Sequence, residues 1–188
     1  MALFPRVRLR AVCLHVRDKL RSGLNSQITQ CIAETPGDAP ATNLATIADT
    51  TAQIVFADDF DYEPTLYPSI RVANPRVAFL PLGSASVTTA RLTLSVGVYT
   101  EQIADGSTEC AGDVIPSLSE TTLDMVECVR ATIERDYPSN LYGSQIRATS
   151  IERVDAPQDP ENPCSMRQKF EILFEAETRL RHSRGALT

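Results

Sequence analysis

The sequence is poor in the side chains on which most binding and catalytic chemistry depends. It has no tryptophan, an aromatic content of only 6%, and two histidines in 188 residues. So few aromatics argue against a surface that stacks nucleic-acid bases or sugars. His15 and His182 lie far apart, and the sequence contains no phosphate-binding loop, nucleophile elbow or HExxH zinc motif. We therefore expect a protein that is not an enzyme and needs no cofactor.

The cysteines and the apolar segments exclude further classes. Five cysteines, an odd number, are widely spaced and include no CxxC pair, so neither a disulfide framework nor a zinc site is indicated. An apolar run of roughly 18 residues, the length that spans a membrane, is also missing. The first twenty residues carry arginines among their apolar positions, which is not the pattern of a secretory signal. We expect free thiols and no membrane association.

Acidic side chains outnumber basic ones. The formal net charge is −6 and the isoelectric point is about 5.0, so a phosphate backbone would be repelled and sequence-specific nucleic-acid binding is not expected. Basic residues concentrate near the two ends, at 6–21 and 179–184. Such asymmetry can hold copies of one chain together as easily as it can bind another polymer. The length fits a single domain over residues 1–188.

Two segments have helical periodicity. Residues 6–33 place apolar side chains at spacings of three and four on one stripe: Leu9, Cys13, Val16, Leu20, Leu24, Ile28 and Ile32. A second helix is predicted to open at Ser119, after a loop closed by Pro116, and to end before Pro138. Its predicted apolar face consists of Leu123, Val126, Val129 or Arg130, Ile133 and Tyr137.

The remaining segments predict loops and strands. Residues 34–53 are small and polar and read as a long loop. Ala73-Asn74-Pro75 reads as a turn between two short strands. Strands are predicted at Ile54–Phe56, Ser69–Val72, Val77–Leu82, Thr89–Glu101, Gln145–Val154 and Met166–Arg179. The last two are joined by the proline-rich residues 155–165. This order predicts an α+β fold, an antiparallel or mixed sheet with two helices packed on one face, long loops and an extended C-terminal hairpin.

One acidic cluster is a candidate site. Asp58, Asp59, Asp61 and Glu63 fall within six residues, and four carboxylates have the oxygen ligands that Mg²⁺ or Ca²⁺ prefers. The spacing departs from the known calcium loop and lacks its glycine. A solvated acidic loop, or a patch facing a channel or its rim, is the simpler reading. A metal-binding or hydrolase module built on these residues stays open as the alternative.

Two further sets of charged residues are candidate contact surfaces. Arg10, Arg17 and Arg21 lie off the apolar stripe of the first helix, where they form either a solvated face or a face that docks on an acidic neighbour. In the last strand, apolar Phe170, Ile172 and Phe174 alternate with charged residues that face solvent or a neighbouring copy: Lys169, Glu171, Glu175, Glu177 and Arg179.

The layout resembles the tail terminator (tail-completion, head–tail joining) proteins of long-tailed bacteriophages. After the amphipathic first helix comes a Tyr-Pro-small-Ile strand, here Tyr67-Pro68-Ser69-Ile70. A long alternating strand follows at Ala90–Thr100, then a Leu-x-x-Val helix at Leu123–Ile133. The final strand, Arg167–Thr178, has the pattern Arg-x-x-Phe-x-Ile-x-Phe-x-Ala-x-Thr. Residues 34–60 and 155–165 stand out as loop insertions relative to many such proteins.

The resemblance implies a structural virion protein located in the tail or neck and assembled in the host cytoplasm. It implies a homohexameric ring that caps the tail tube, terminates its length and lets DNA pass. Its expected partners are its own copies, the tail-tube protein, a head-completion or neck protein and, in a contractile tail, the end of the sheath. A neck or minor tail protein at another level of the stack is the alternative within this class.

Overall fold

The computed structural model describes residues 9–34, 44–57, 63–80, 87–103, 115–135, 146–154 and 165–181. The helices are α1 (Leu9–Glu34), α2 (Thr50–Gln53) and α3 (Ile115–Glu134). The strands are β1 (Ile54–Phe56), β2 (Ser69–Leu80), β3 (Val87–Ile103), β4 (Ile146–Val154) and β5 (Ser165–Arg181).

The described strands form one mixed sheet in the order β1-β2-β3-β5-β4. Only β1 and β2 run parallel, and the other neighbours are antiparallel. The two longest strands, β3 and β5, have seventeen residues each and pair along their whole length. The pairing of β4 with β5 confirms the predicted hairpin, and the sheet with its two main helices confirms the predicted α+β class.

Both long helices cover the same face of the sheet. α1 packs over β1 and β2, α3 packs over β3, β5 and β4, and the two helices also contact each other. The core between them takes one side-chain column from each strand, including Val72, Val96, Ile172 and Phe174. This face is apolar because strand side chains alternate, so residues two apart share the helix side. The opposite face of the sheet carries the alternate side chains of the same strands.

The apolar stripe of α1 is confirmed from Cys13 to Ile28, and the side chain of Leu9 lies outside the described part. Cys13, Val16, Leu20 and Leu24 are buried, with Ile28 and the unpredicted Val12. Ile32, in contrast, is 43% exposed, because α1 runs on past the core at its C-terminal end.

The start and the buried stripe of α3 differ from the prediction. The helix begins at Ile115 and includes Pro116 in its first turn, where a missing N–H costs nothing. Leu123, assigned to the apolar face, is 47% exposed. Val126, Val129 and Ile133 are buried as predicted, with Val129 and not Arg130 in the stripe, and Thr122 and Met125 are buried in place of Leu123. A polar residue can be buried at Thr122 because its hydroxyl forms a hydrogen bond with the hydroxyl of Thr100 on β3, at 2.6 Å. Tyr137 lies outside the described residues.

The predicted turn at Ala73-Asn74-Pro75 is wrong. One continuous strand, β2, runs from Ser69 to Leu80, and its register with β3 shifts between Ala73 and Arg76. A bulge is one of the few places where a strand tolerates proline, since the ring removes a ladder donor. β1 pairs only with residues 70–72 of β2. From Arg76 to Leu80, none of the described strands pairs with the edge of β2 that faces away from β3.

The second half of the predicted loop at 34–53 contains buried residues and the short helix α2. Leu44 and Ile47 are buried, and Asn25 of α1 holds Ile47 through two hydrogen bonds. The Ile47 amide donates to Asn25 Oδ1 at 2.7 Å, and Asn25 Nδ2 donates to the Ile47 carbonyl at 2.9 Å. Asp49 then caps α2 by accepting from the amides of Thr51 and Ala52. Local polarity predicted a loop, but two apolar residues were enough to dock this part on the core.

No helix in the described ranges is both long and apolar enough to cross a membrane.

Candidate functional site

The face of the sheet opposite the helices carries the most organised polar chemistry in the described residues. We call it the polar face. It is formed by the side chains that alternate with the core column, and the strand register aligns them in rows across β2, β3 and β5. Arg71, Gly97 and Glu171 form one such row, and Tyr99 and Lys169 lie in the next.

Tyr99 lies at the centre of the polar face. A Cβ atom added to Gly97 would meet Tyr99 Cε2 at 2.9 Å, so the ring lies against the backbone of its own strand at Gly97. The Arg71 guanidinium carbon is 5.9 Å from the ring centroid, and Lys169 Nζ is 5.4 Å from it. Both distances suit a cation–π contact. Tyr99 is therefore only 6% exposed on a face that no described helix covers.

Glu171 supplies the negative charge that these two cations need. Its Oε1 is 2.7 Å from Lys169 Nζ and 3.8 Å from Arg71 Nη2. Arg71 is only 3% exposed, and a charge so deeply buried is tolerated only with opposite charge and polar groups near it. We call Arg71, Tyr99, Lys169 and Glu171 the Tyr99 cluster.

Burial raises the pKa of the Tyr99 phenol, although Arg71 and Lys169 act in the opposite direction. The desolvation of the phenolate outweighs the two nearby cations, because Glu171 offsets part of their charge. The phenol therefore stays protonated at neutral pH. Its part in this cluster is as a packed ring and not as an acid or base.

A second group lies at one end of the same face. The Arg167 guanidinium donates to Glu101 Oε1 at 2.9 Å and to Glu63 Oε1 at 2.7 Å. The Ser165 hydroxyl also donates to Glu101, and the Tyr67 ring centroid is 5.5 Å from the Arg167 guanidinium carbon. Since Glu63 and Tyr67 precede β2, Arg167 fastens this segment to the start of β5.

The other end of the face carries an exposed pair. Arg91 Nη2 lies 3.0 Å from Glu177 Oε1, and the two residues are register partners on β3 and β5. Glu175, the next polar-face residue of β5, is the register partner of Arg147 on β4. The predicted residues Lys169, Glu171, Glu175 and Glu177 thus share one face. The backbone of Arg179 pairs with that of Thr89 in the same ladder.

The predicted arginines of α1 differ in their contacts. Arg10 is exposed, and Arg17 pairs with its neighbour Asp18 at 2.6 Å. Arg21 donates to the carbonyl oxygens of Ile54, at 2.9 Å, and Thr51, at 2.7 Å. Arg21 therefore connects α1 to the residues around the start of β1.

Of the acidic cluster, only Glu63 belongs to the described residues, and its carboxylate binds Arg167. Asp58, Asp59 and Asp61 lie outside them. Within the described ranges no three or more histidine, cysteine, aspartate or glutamate side chains are grouped so that they could hold a metal ion.

Sequence reasoning missed Arg71, Tyr99 and Arg167 as site residues. One signal was available, because a glycine inside a strong strand often marks a place where another group approaches the backbone. Gly97 is such a glycine, with Tyr99 two residues further on the same face. The burial of Arg71 had no local signal, since it depends on β3 and β5 lying beside β2.

No family model matches the sequence, and a search of the curated proteins finds no match. The geometry of the polar face is therefore the principal guide to function. It carries paired charges and packed rings on one face of the sheet.

Proposed function

We propose that this chain is a structural subunit of a phage tail, of the tail terminator kind, which closes with identical copies into a homohexameric ring on the end of the tail tube. The observation that supports this most is the polar face. It is a broad surface of balanced charge on a sheet whose two longest strands, β3 and β5, have seventeen residues each. The order of the elements agrees with the resemblance drawn from the sequence.

The charge balance of the polar face favours contact with a copy of the same chain. Among the residues whose side chains the structure describes, the strand register assigns to this face both cations (Arg71, Arg76, Arg91, Arg147, Arg167 and Lys169) and anions (Glu101, Glu152, Glu171, Glu175 and Glu177). A surface that binds DNA phosphates needs a clear excess of cations. A nearly neutral mixture of both signs instead complements another mixed surface and sets its register.

The two edges of the described sheet differ, and this suits a closed ring. One edge ends in the three-residue β1 and the other in the nine-residue β4. A ring is built from heterologous contacts, in which one surface of a copy meets a different surface of the next. A domain with unlike edges supplies two such surfaces without self-pairing.

The overall charge supports passage of DNA through the ring. Each copy has a formal charge of −6, so six copies carry about −36. A negative channel wall repels the phosphate backbone and lets DNA pass without adhering to it.

The test is assembly with the cognate tail-tube protein, followed by negative-stain microscopy and native mass spectrometry. We expect rings of six with a central channel, seated on tube ends, and tubes that stop growing once they are capped. A chain that stays monomeric in the presence of tube would overturn the proposal. A ring that binds the head-completion protein but not tube would place it at another level of the neck.

A further inference from the structure

Two cysteine thiols meet where the two long helices pack against each other. Cys31 lies near the C-terminal end of α1 and is partly exposed, whereas Cys128 lies within α3 and is buried. Both are free thiols, and they are close enough to share a hydrogen bond. The α1–α3 contact therefore holds two sulfur atoms that can be oxidised as a pair.

The direction of the helices accounts for this meeting. Lys19 Nζ of α1 donates to the Ile133 carbonyl of α3 at 2.7 Å, and further along α1 Cys31 contacts the earlier residue Cys128. The two helices thus run antiparallel. A helical side chain leans towards the N-terminus of its own helix. The side chains of Cys31 and Cys128 consequently lean towards each other along the contact.

The two helices also approach each other closely. α1 has a glycine at the contact, Gly23, where an added Cβ would lie 3.3 Å from Thr132 Cγ2 of α3. A disulfide needs Cα atoms about 4.4–6.8 Å apart, which is closer than most helix pairs allow. A contact lined by small residues permits such a separation.

The two thiols differ in reactivity. Burial, the neighbouring Cys31 thiol and the carboxylates of Asp124 and Glu127 together raise the pKa of the Cys128 thiol to about 12. Only the thiolate form of a cysteine attacks a disulfide, and it must also be accessible to the reagent. Cys31 is therefore the thiol that reacts first with a reagent in solution, and Cys128 is the thiol that completes the bond.

We propose that Cys31 and Cys128 are a site of reversible disulfide formation, which fastens α1 to α3 when the protein meets a small disulfide such as glutathione disulfide. The Cys31 thiolate attacks one sulfur of the reagent, which forms a mixed disulfide and releases one glutathione thiolate. Cys128 then loses its proton, and its sulfur attacks the Cys31 sulfur and displaces the second glutathione thiolate. The two cysteines lose two electrons and two protons, and the reagent becomes two glutathione thiols.

The bond stabilises the subunit because it joins distant parts of the chain. α1 and α3 are separated in sequence by β1, β2 and β3, so the disulfide closes a long loop and restricts the unfolded chain. It also fixes the packing of the two helices that cover the sheet. The site lies within one subunit, so it depends neither on the ring contact nor on the polar face.

The experiment uses the full chain, purified with reductant and then incubated with glutathione disulfide at mildly alkaline pH. Remaining thiols are alkylated, and peptide mapping by mass spectrometry identifies the linked cysteines. We expect a bond between Cys31 and Cys128 within one chain, and a melting temperature about 5–15 °C above that of the reduced protein. Dithiothreitol should reverse both. Glutathione that stays on Cys31, or bonds formed only by other cysteines or between chains, would overturn the proposal.

Variants assign the stabilisation to this pair. Cys31→Ser and Cys128→Ala should each abolish the rise in melting temperature on oxidation, and Cys128→Ala should accumulate the mixed disulfide on Cys31. Cys110→Ser is the matched control, since it removes a different thiol and should keep the full rise. Should Cys128→Ala fold poorly because the residue is buried, the partly exposed Cys31 carries the test. A full rise in Cys31→Ser would refute the assignment.

Discussion

At the scale of single residues, Tyr99 explains why Gly97 is needed. A large ring can lie flat against a strand only where the residue below it has no side chain, and the added Cβ distance of 2.9 Å shows that the space is already filled. The ring in turn lies within cation–π distance of both Arg71 and Lys169. One glycine thus permits the burial of a charged cluster on the polar face.

We predict that Gly97→Ala destabilises the fold by about 1–3 kcal/mol, the usual cost of overpacking. The methyl group must displace the Tyr99 ring, which Arg71 and Lys169 hold in place. The measurement is urea unfolding followed by circular dichroism. In a Tyr99→Val background the same change should cost much less, since the clash partner is gone. An undiminished cost in that background would mean that the strain comes from the backbone and not from the ring.

A second residue-scale prediction concerns Cys128 of α3. Burial, reinforced by the neighbouring Cys31 thiol of α1, raises the pKa of the Cys128 thiol from its ordinary value near 9 to about 12. The folded state therefore keeps this proton at a pH where the unfolded chain has lost it. The stabilisation is fully present below about pH 9 and is lost progressively as pH rises towards 12.

The free energy of unfolding should accordingly fall between pH 8 and pH 10, by at most about 1.4 kcal/mol from this thiol. Urea titrations at several pH values provide the measurement. Cys128→Ala should show a shallower fall, while the raised pKa of Tyr99 leaves a further decline at higher pH in both proteins. Identical pH profiles for the two proteins would contradict the assignment.

At the scale of elements, the pairing of β3 with β5 determines which charge substitutions can test ring formation without disturbing the fold of the subunit. Reversing Lys169 and Glu171 is a poor test, because a lysine at 171 would face the buried Arg71 and destabilise the subunit itself. Arg91 and Glu177 are better suited. They are exposed and paired with each other at 3.0 Å, away from the Tyr99 cluster.

We predict that the exchange Arg91→Glu with Glu177→Arg leaves stability within about 0.5 kcal/mol, since the pair is retained in reverse. Ring formation should nevertheless weaken, most at low salt, because the neighbouring copy meets an inverted charge pattern. Native mass spectrometry at two salt concentrations provides the measurement. The matched control exchanges Arg17 and Asp18 on α1, a pair at 2.6 Å. If the Arg91/Glu177 exchange forms normal rings and the Arg17/Asp18 exchange does not, the subunit contact lies on α1.

At the scale of the whole molecule, the excess negative charge lies outside the described side chains of the polar face. The polar face is nearly balanced, so most of the net charge of −6 comes from other parts of the chain, including the stretch around Asp58, Asp59 and Asp61. In a ring these carboxylates would be repeated six times. Their effect on passing DNA would then be collective.

We predict that changing Asp58, Asp59 and Asp61 together to lysine leaves the thermal melt nearly unchanged, within the roughly 0.5 kcal/mol typical of surface substitutions. Glu63 is left intact because it binds Arg167. DNA release from assembled particles should slow, since the new cations attract phosphate. The measurement is the rate of triggered DNA ejection, with the corresponding asparagine variant as the control for charge removal alone. Unchanged ejection from correctly assembled tails would show that the stretch does not face the channel.

The elements whose signals are local could be predicted from the amino-acid sequence. The apolar period of α1, the strict alternation in β3 and β5, and the order of strands around the second long helix were sufficient for the α+β class. Periodicity carries this information because a helix or strand that must bury one face repeats its apolar residues at the spacing of its own geometry.

The burial of residues at the limits of those patterns, and the pairing of charges, depend on tertiary packing. Ile32 and Leu123 fit their helical periods but lie outside the core, and Asn74-Pro75 looks like a turn but lies within β2 at a bulge. Arg71 and Arg21 look like ordinary surface arginines, yet one is buried against Tyr99 and the other donates to Ile54. These outcomes depend on segments far apart in the chain packing side by side, and no local spacing encodes which segments those are.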